Sequence, residues 1–239
     1  MDQPLLQTRN LSMHFGGVRA LDQVDFTLNR GELRCLIGPN GAGKSTFFKC
    51  VTGQLTPTHG EIVLNGQQIG GRSSSEIAGR GVGIKTQVPN LFDGLTVYEN
   101  LWISVRSVTD RRARDQIVVR TMERIGISHL AHLVAGQIAH GQRQFVELAM
   151  VIAENPELIL FDEPAAGLSS EETEKLAQII LELNRNHALI IVEHDMQFIR
   201  MIGNKITVFH QGKILAEDET DAILTNQQVR NVYLGKSPA

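Results

Sequence analysis

A chain of 239 residues is long enough to bury a substantial core, as one large domain or two small ones. Its 23 Lys and Arg against 26 Asp and Glu, with 42% hydrophobic residues, exclude a disordered chain and argue against a binder that neutralises many nucleic-acid phosphates. The longest apolar runs, such as Ala188 to Val192, are too short to cross a bilayer, and Met1-Asp2-Gln3-Pro4 begins no basic or apolar leader.

Taken in order, the elements open as strands. Ser12 to Phe15 runs into the turn Gly16-Gly17, and Val24, Phe26 and Leu28 alternate after it. Leu33 to Ile37 reads as a buried strand, followed by a glycine-rich loop and a helix to about Val51. Glu61 to Leu64 predicts a strand entering the turn Asn65-Gly66. From Val88 to Asn155 helical spacings take over, with Arg106, Arg111, Arg112, Arg114, Arg120 and Arg124 read as a solvated helix face. After Pro156 strand and helix alternate again. Leu158 to Phe161 and Leu189 to Val192 are strands, and Glu171 to Leu183 is a helix with a capping box at Ser169 and Glu172. Thr207 to Phe209 and Lys213 to Ala216 form a hairpin through Gln211-Gly212. There is no repeat and no low-complexity tract. Cys35 and Cys50 lack a CxxC partner and read as small buried hydrophobes in a reduced, cytoplasmic protein.

The strongest chemical signal is Gly38-Pro39-Asn40-Gly41-Ala42-Gly43-Lys44-Ser45-Thr46, a full GxxxxGK[ST] between a strand and a helix. Glycines let backbone N–H groups wrap a phosphate, and the helix start adds positive potential. Lys44 is placed for the β- and γ-phosphates and the Ser45 hydroxyl for Mg²⁺. A second element, Leu158 to Glu163, is an apolar strand that delivers Asp162 to its C-terminal edge, where ligands of open parallel sheets bind. Asp162 is placed to hold Mg²⁺, and Glu163 to act as general base toward the attacking water.

With these motifs in this order, the whole chain resembles an ATP-binding cassette (ABC) ATPase. The resemblance implies an α/β fold: a P-loop NTPase core with a RecA-like mixed sheet, an N-terminal antiparallel β subdomain and an inserted helical subdomain. Residues 1–87 and 156–239 would form the core of a single domain, and 88–155 the helical part. Phe15 resembles the aromatic residue that stacks on adenine, the alternative being a core Phe beside a turn. Gln87 resembles the family's glutamine loop, which touches Mg²⁺ and the lytic water and senses a membrane partner. His194 resembles the switch histidine at the γ-phosphate. Ile138-Ala139-His140-Gly141-Gln142 resembles the signature, normally Leu-Ser-Gly-Gly-Gln, which binds ATP held by the opposite subunit. Alanine at its second position removes a hydroxyl, and Ser169 stands in the D-loop where Asp is usual.

Leu91 to Asn100, Glu163 to Leu168 and the ending Val232-Tyr233-Leu234-Gly235 resemble the ATPases of branched-chain amino acid importers. His140 to Gln144 and Thr207 to Gly212 are similar to the urea-importer branch. The resemblance implies ATP and Mg²⁺ as cofactors, and a second ABC ATPase subunit in a homo- or heterodimer. It further implies transmembrane permease subunits, a solute-binding protein acting indirectly, and a place on the cytoplasmic face of the inner membrane. Alternatives are an ATPase of lipopolysaccharide export, a soluble ABC ATPase without transport, and an adenylate-kinase-like enzyme. The last would leave the signature-like segment unexplained. Asn204-Lys205-Ile206-Thr207 lacks the Asp that reads guanine. His129 and His132, three apart, have metal-ligand spacing but no acidic or Cys partner nearby. Tyr98 and Trp102 are expected in packing or partner contact.

Overall fold

The computed structural model describes residues 3–234, so Gly235 of the C-terminal motif lies outside the described residues. Strands β1 (Leu6–Phe15) and β2 (Val18–Leu28) pair antiparallel around the Gly16-Gly17 turn. Next come β3 (Leu33–Ile37), the phosphate loop and helix α1 (Lys44–Val51). β4 (His59–Leu64) returns to pair with β1, and the short β5 (Gln67–Gln68) completes a sheet ordered β2-β1-β4-β5. Helix α2 (Ser74–Ala78) leads into β6 (Val82–Lys85), a strand absent from the sequence expectations because Gly81, Gly83 and Lys85 interrupt its apolar pattern.

From there to residue 157 the named elements are helical: α3 (Val97–Ser104), α4 (Arg111–Ile125) and α5 (His140–Ala153). Alternation then resumes with β7 (Leu158–Asp162), α6 (Ser170–Asn184), β8 (Ala188–Val192) and α7 (Met196–Ile202). The hairpin β9 (Lys205–His210) and β10 (Lys213–Glu219) follows, and α8 (Thr220–Thr225) and α9 (Gln227–Leu234) close the described chain. The second sheet is ordered β10-β9-β3-β8-β7-β6, parallel except for the β9–β10 hairpin.

Both faces of this sheet are covered, which is why its strands read as continuous apolar runs. Cys35, Ile37, Ile159, Phe161, Leu189 and Ile191 face the core shared with α5, α6 and α7. Leu36, Leu158, Leu160, Ile190 and Val192 face α1 and the antiparallel sheet. Burial pushes the thiols of Cys35 and Cys50 up to about 12 and about 11, as inert buried hydrophobes require. The fully buried Arg34 is satisfied by Glu32, Glu217, Thr207 and the carbonyl of Thr27.

Capping boxes fix three helix starts. Ser73, Thr96 and Ser169 each accept the N–H of a Glu three residues on, and that Glu reaches back to the cap N–H. Arg111, Arg112 and Arg120 are solvated as expected, but Arg114 is not. Its guanidinium lies 4.1 Å from the Trp102 ring centre, and its Nε donates to the Val108 carbonyl at 3.0 Å. Tyr98 and Trp102 both donate to Asp115, at 2.7 and 3.0 Å. His129 lies in a single 3-10 turn, and no three-residue His, Cys, Asp or Glu group suited to a metal occurs among the described residues.

Candidate functional site

The phosphate loop is set by backbone that only glycine tolerates. Gly38 has φ +147°, and a Cβ there would stand 2.2 Å from the Phe209 carbonyl oxygen. Gly43 has φ +107°, and its Cβ would meet the Ala20 carbonyl oxygen at 2.7 Å. The β9–β10 turn braces the loop, since Gly212 N–H donates to the Ala42 carbonyl at 3.0 Å. Asn40, Gly41 and Ser45 are exposed, Thr46 and Pro39 half-buried, and Ala42 buried. Lys44 folds over its own loop, donating to the carbonyls of Gly38 at 2.6 Å and Pro39 at 3.1 Å. Burial lowers its pKa, while the charges of Glu163 and Asp162 oppose that shift.

Three residues far apart in sequence meet beside the loop. Gln87 Nε2 donates to Glu163 Oε2 at 2.8 Å, and His194 Nδ1 lies 3.3 Å from Glu163 Oε1. Glu163 and His194 line one concavity with Gly38, Pro39 and Asn40, joined by Val232 of α9. Glu163 has φ +47°, a left-handed conformation for a non-glycine residue, and its N–H is held by the Val192 carbonyl at 2.9 Å. Such a conformation costs about 1 kcal/mol or more and persists only where the surroundings enforce it. Asp162, at the end of β7, has its pKa raised by burial and then by the Glu163 charge. The two carboxylates, faced by Lys44 and Lys49, give this edge the oxygen donors that suit a hard divalent ion. The Nε2 contact leaves Gln87 Oε1 as the acceptor end of this amide.

Two contributors escaped sequence reasoning. Glu193, only 2% exposed, accepts the N–H of His194 at 2.8 Å and of Asp195 at 3.2 Å, and the N–H of Ala165 at 3.3 Å. It thereby joins the histidine loop to the segment after Glu163. The acid-rich Glu193-His194-Asp195 string was the available signal, but it does not say which carboxylate turns inward. Val232 belongs to the ending Val232-Tyr233-Leu234-Gly235, which pointed to a family branch but not to a place beside the phosphate loop.

The signature segment lies elsewhere, at the start of α5, and does not line that concavity. Ala139 takes the cap position, where its N–H donates to Gln142 Oε1 at 3.0 Å but no side-chain acceptor returns the bond. His140 is exposed and packs beside Gly167 of the D-loop. Gly141 is buried, and a Cβ on it would lie 2.0 Å from Glu172 Oε1, within the α6 capping box. Phe15 stands at the β1–β2 turn, 47% exposed, so the core-Phe alternative fails.

A family model described as ABC transporter matches residues 21–166, more than half of the chain. The Escherichia coli K12 protein named high-affinity branched-chain amino acid transport ATP-binding protein LivG is 37% identical over 255 residues, covering 99% of this chain and 100% of that protein. The lipopolysaccharide export system ATP-binding protein LptB of Haemophilus influenzae is 32% identical over 235 residues, covering 97% and 98%. Among solved structures, the ADP conformation of MJ1267, an ATP-binding cassette of an ABC transporter, matches with TM-score 0.86 and 28% identity over 98% of this chain and 100% of that one. With the phosphate loop, Asp162 and Glu163 arranged as above, this chain belongs to the ABC transporter family and is one of its ATP-hydrolysing domains.

Proposed function

We propose that this chain energises an importer of small amino-acid-like solutes, branched-chain amino acids first and urea second. The observation that carries this reading is the end-to-end similarity to LivG. Gly38 to Thr46 would wrap the phosphates of ATP, with Lys44 leaving its own loop carbonyls for the β- and γ-phosphates. Mg²⁺, held by Ser45, Asp162 and Gln87, would neutralise charge on those phosphates. Glu163 would take the proton of the attacking water, oriented by Gln87, while His194 would contact the γ-phosphate. The exposed Phe15 is free to stack on adenine.

One chain holds only half of each site in this scheme. Ala139, His140, Gly141 and Gln142 would meet ATP held by a second ABC ATPase subunit, identical or not, so that binding closes a dimer and hydrolysis reopens it. Val88 and Phe92, exposed apolar residues just beyond Gln87, support docking of transmembrane permease subunits on the helical part, residues 88–155. A solute-binding protein would deliver the solute outside. No helix among the described residues is long and apolar enough to cross a membrane, consistent with a peripheral place on the cytoplasmic face of the inner membrane.

The similarity to LptB supports a second reading, a transporter working in the outward direction. Purification with the co-purifying permease and reconstitution into vesicles separates the two. ATP turnover stimulated by leucine with its binding protein supports the first reading, and stimulation by urea moves the assignment to the urea branch. Stimulation by lipopolysaccharide alone overturns import.

A further inference from the structure

Beside the nucleotide site the chain buries a charged pair that the scheme above does not use. Lys85, the last residue of β6, is fully buried, and Glu147 on α5 is 5% exposed. Lys85 Nζ lies 3.3 Å from Glu147 Oε2. The other oxygen of Glu147 accepts the N–H of Asn90 at 3.1 Å and the Thr86 hydroxyl at 3.4 Å, gripping the glutamine loop on both sides of Gln87. Burial lowers the pKa of Lys85 and raises that of Glu147, and each charge opposes the shift of the other.

Gln144, one turn nearer the start of α5 and 2% exposed, completes the cluster. Its Oε1 accepts from Lys85 Nζ. An ammonium only donates, so this contact fixes which end of the amide faces where. Nε2 is then the donor, 3.3 Å from the backbone oxygen of Gln87 and 3.3 Å from His140 Nε2. The histidine nitrogen must accept, which places its ring proton on Nδ1. Apolar side chains of similar volume fill such a space at least as stably as a buried ion pair. The polar cluster adds direction: one amide, aimed by Lys85, holds the glutamine loop with one hydrogen and the signature histidine with the other.

We propose that Gln144, oriented by Lys85 and Glu147, is a positioning residue that ties Gln87 to His140. The inference rests on the reading that Gln87 serves the ATP held by its own chain and His140 the ATP of the opposite subunit. Under it, occupancy of one site is transmitted to the other through a single side chain.

The test uses the full chain with its dimer partner. Sedimentation of the Glu163→Gln protein with and without ATP first checks the dimer reading. No ATP-dependent association overturns that reading and this proposal together. Where association occurs, Gln144→Leu is expected to lower kcat by about tenfold while the KM for ATP changes by about twofold or less. In a Gln87→Ala background the same substitution is expected to lower kcat no further, because the side chain carried by the loop end of the tie is gone and holding that loop's backbone no longer places it. A merely structural role predicts equal fractional losses in both backgrounds. That outcome, or a parent-like kcat in Gln144→Leu, overturns the proposal and leaves the dimer reading intact. Should Gln144→Leu lose its cooperative melt, Lys85→Met combined with Glu147→Leu removes both buried charges and unfixes the amide. It is expected to give the same loss of kcat and the same silence in Gln87→Ala, and equal losses in both backgrounds again overturn the proposal.

Discussion

In the proposed scheme the phosphate-loop edge and the start of α5 would both offer backbone amides to a phosphate, yet they are differently prepared. At the loop, Gln87, Glu163 and His194 already touch one another, and Lys44 would only exchange its own loop carbonyls for phosphate oxygens. At α5, Ala139 offers no side-chain acceptor, and its own N–H donates to Gln142 Oε1 without a bond in return. The starts of α2, α3 and α6, each with a complete box, show what is missing. In the proposed scheme the first half-site is assembled within the chain, whereas the second would wait for a partner's nucleotide and could be tuned by a single hydroxyl. Under the proposed dimer scheme, closure would be the adjustable step and hydrolysis the fixed one.

The fixed side breaks hardest. Glu163→Gln is expected to keep ATP binding and lose turnover by about 10²–10⁴-fold, the usual range for removing a general base. Nucleotide affinity and turnover measured on the same sample check it; parent-like turnover would remove Glu163 from that role. Next in size, Lys44→Ala is expected to weaken ATP affinity by about tenfold to a hundredfold, as loss of a hydrogen bond to a charged group implies. Equilibrium titration with a fluorescent nucleotide reads this directly.

Ala139→Ser probes the adjustable side. Its hydroxyl can accept the Gln142 N–H, completing the box for about 1 kcal/mol, and donate to a phosphate across the dimer. We expect a higher melting temperature without nucleotide and up to about tenfold stronger ATP-dependent association or turnover. In a heterodimer the gain should vanish when the partner's phosphate-loop lysine is removed. A raised melting temperature with unchanged association and turnover would confine the hydroxyl to capping. His140 is the alternative donor, since Gln144 holds its Nε2 and leaves Nδ1–H available.

The smallest effect concerns Asp162. Its raised pKa means that the folded chain binds this proton more tightly than the unfolded chain. Stability from this group is thus present at low pH and is lost as pH rises from the unfolded-state value of about 3.9 through the raised folded one. Asp162→Asn removes that loss, so the nucleotide-free variant should melt above the parent at pH 7 although it cannot hold Mg²⁺. The difference should shrink as pH falls into the carboxylate range. A difference that stays constant with pH would mean that the gain has another source.

Much of this frame is legible in the residues themselves. Leu33 to Ile37 and Leu158 to Phe161 announce buried strands because both faces of the sheet are covered, and Ser169 with Glu172 announces the start of α6. The phosphate loop names its chemistry because its glycines are demanded by carbonyls 2.2 and 2.7 Å from absent Cβ atoms. What stays hidden is polar and internal. Lys85, Gln144 and Glu147 look like surface residues, and only the register of β6 against β7 and the packing of α5 on β6 turn them inward. Gln87, Glu163 and His194 carry roles by resemblance, but their meeting at one carboxylate depends on the left-handed turn at Glu163, which no local propensity favours. Arg114 misleads for the opposite reason: in a run of arginines, the one beside Trp102 is a packing residue.

Glu172 lies across the start of α5 because Gly141 leaves room for it, and the same carboxylate accepts the Ser169 N–H at 2.9 Å. A methyl group at position 141 would evict it. A missense change at this one codon is thus two lesions, a crowded signature and an α6 whose capping box loses its carboxylate half while the Ser169 hydroxyl still accepts the Glu172 N–H. Its phenotype would overstate the worth of the phosphate contact. Genetics can separate them: second-site suppressors of Gly141→Ala that shorten Glu172 would restore fit at α5 while leaving the cap defect, and the activity still missing in them measures what the cap alone contributes.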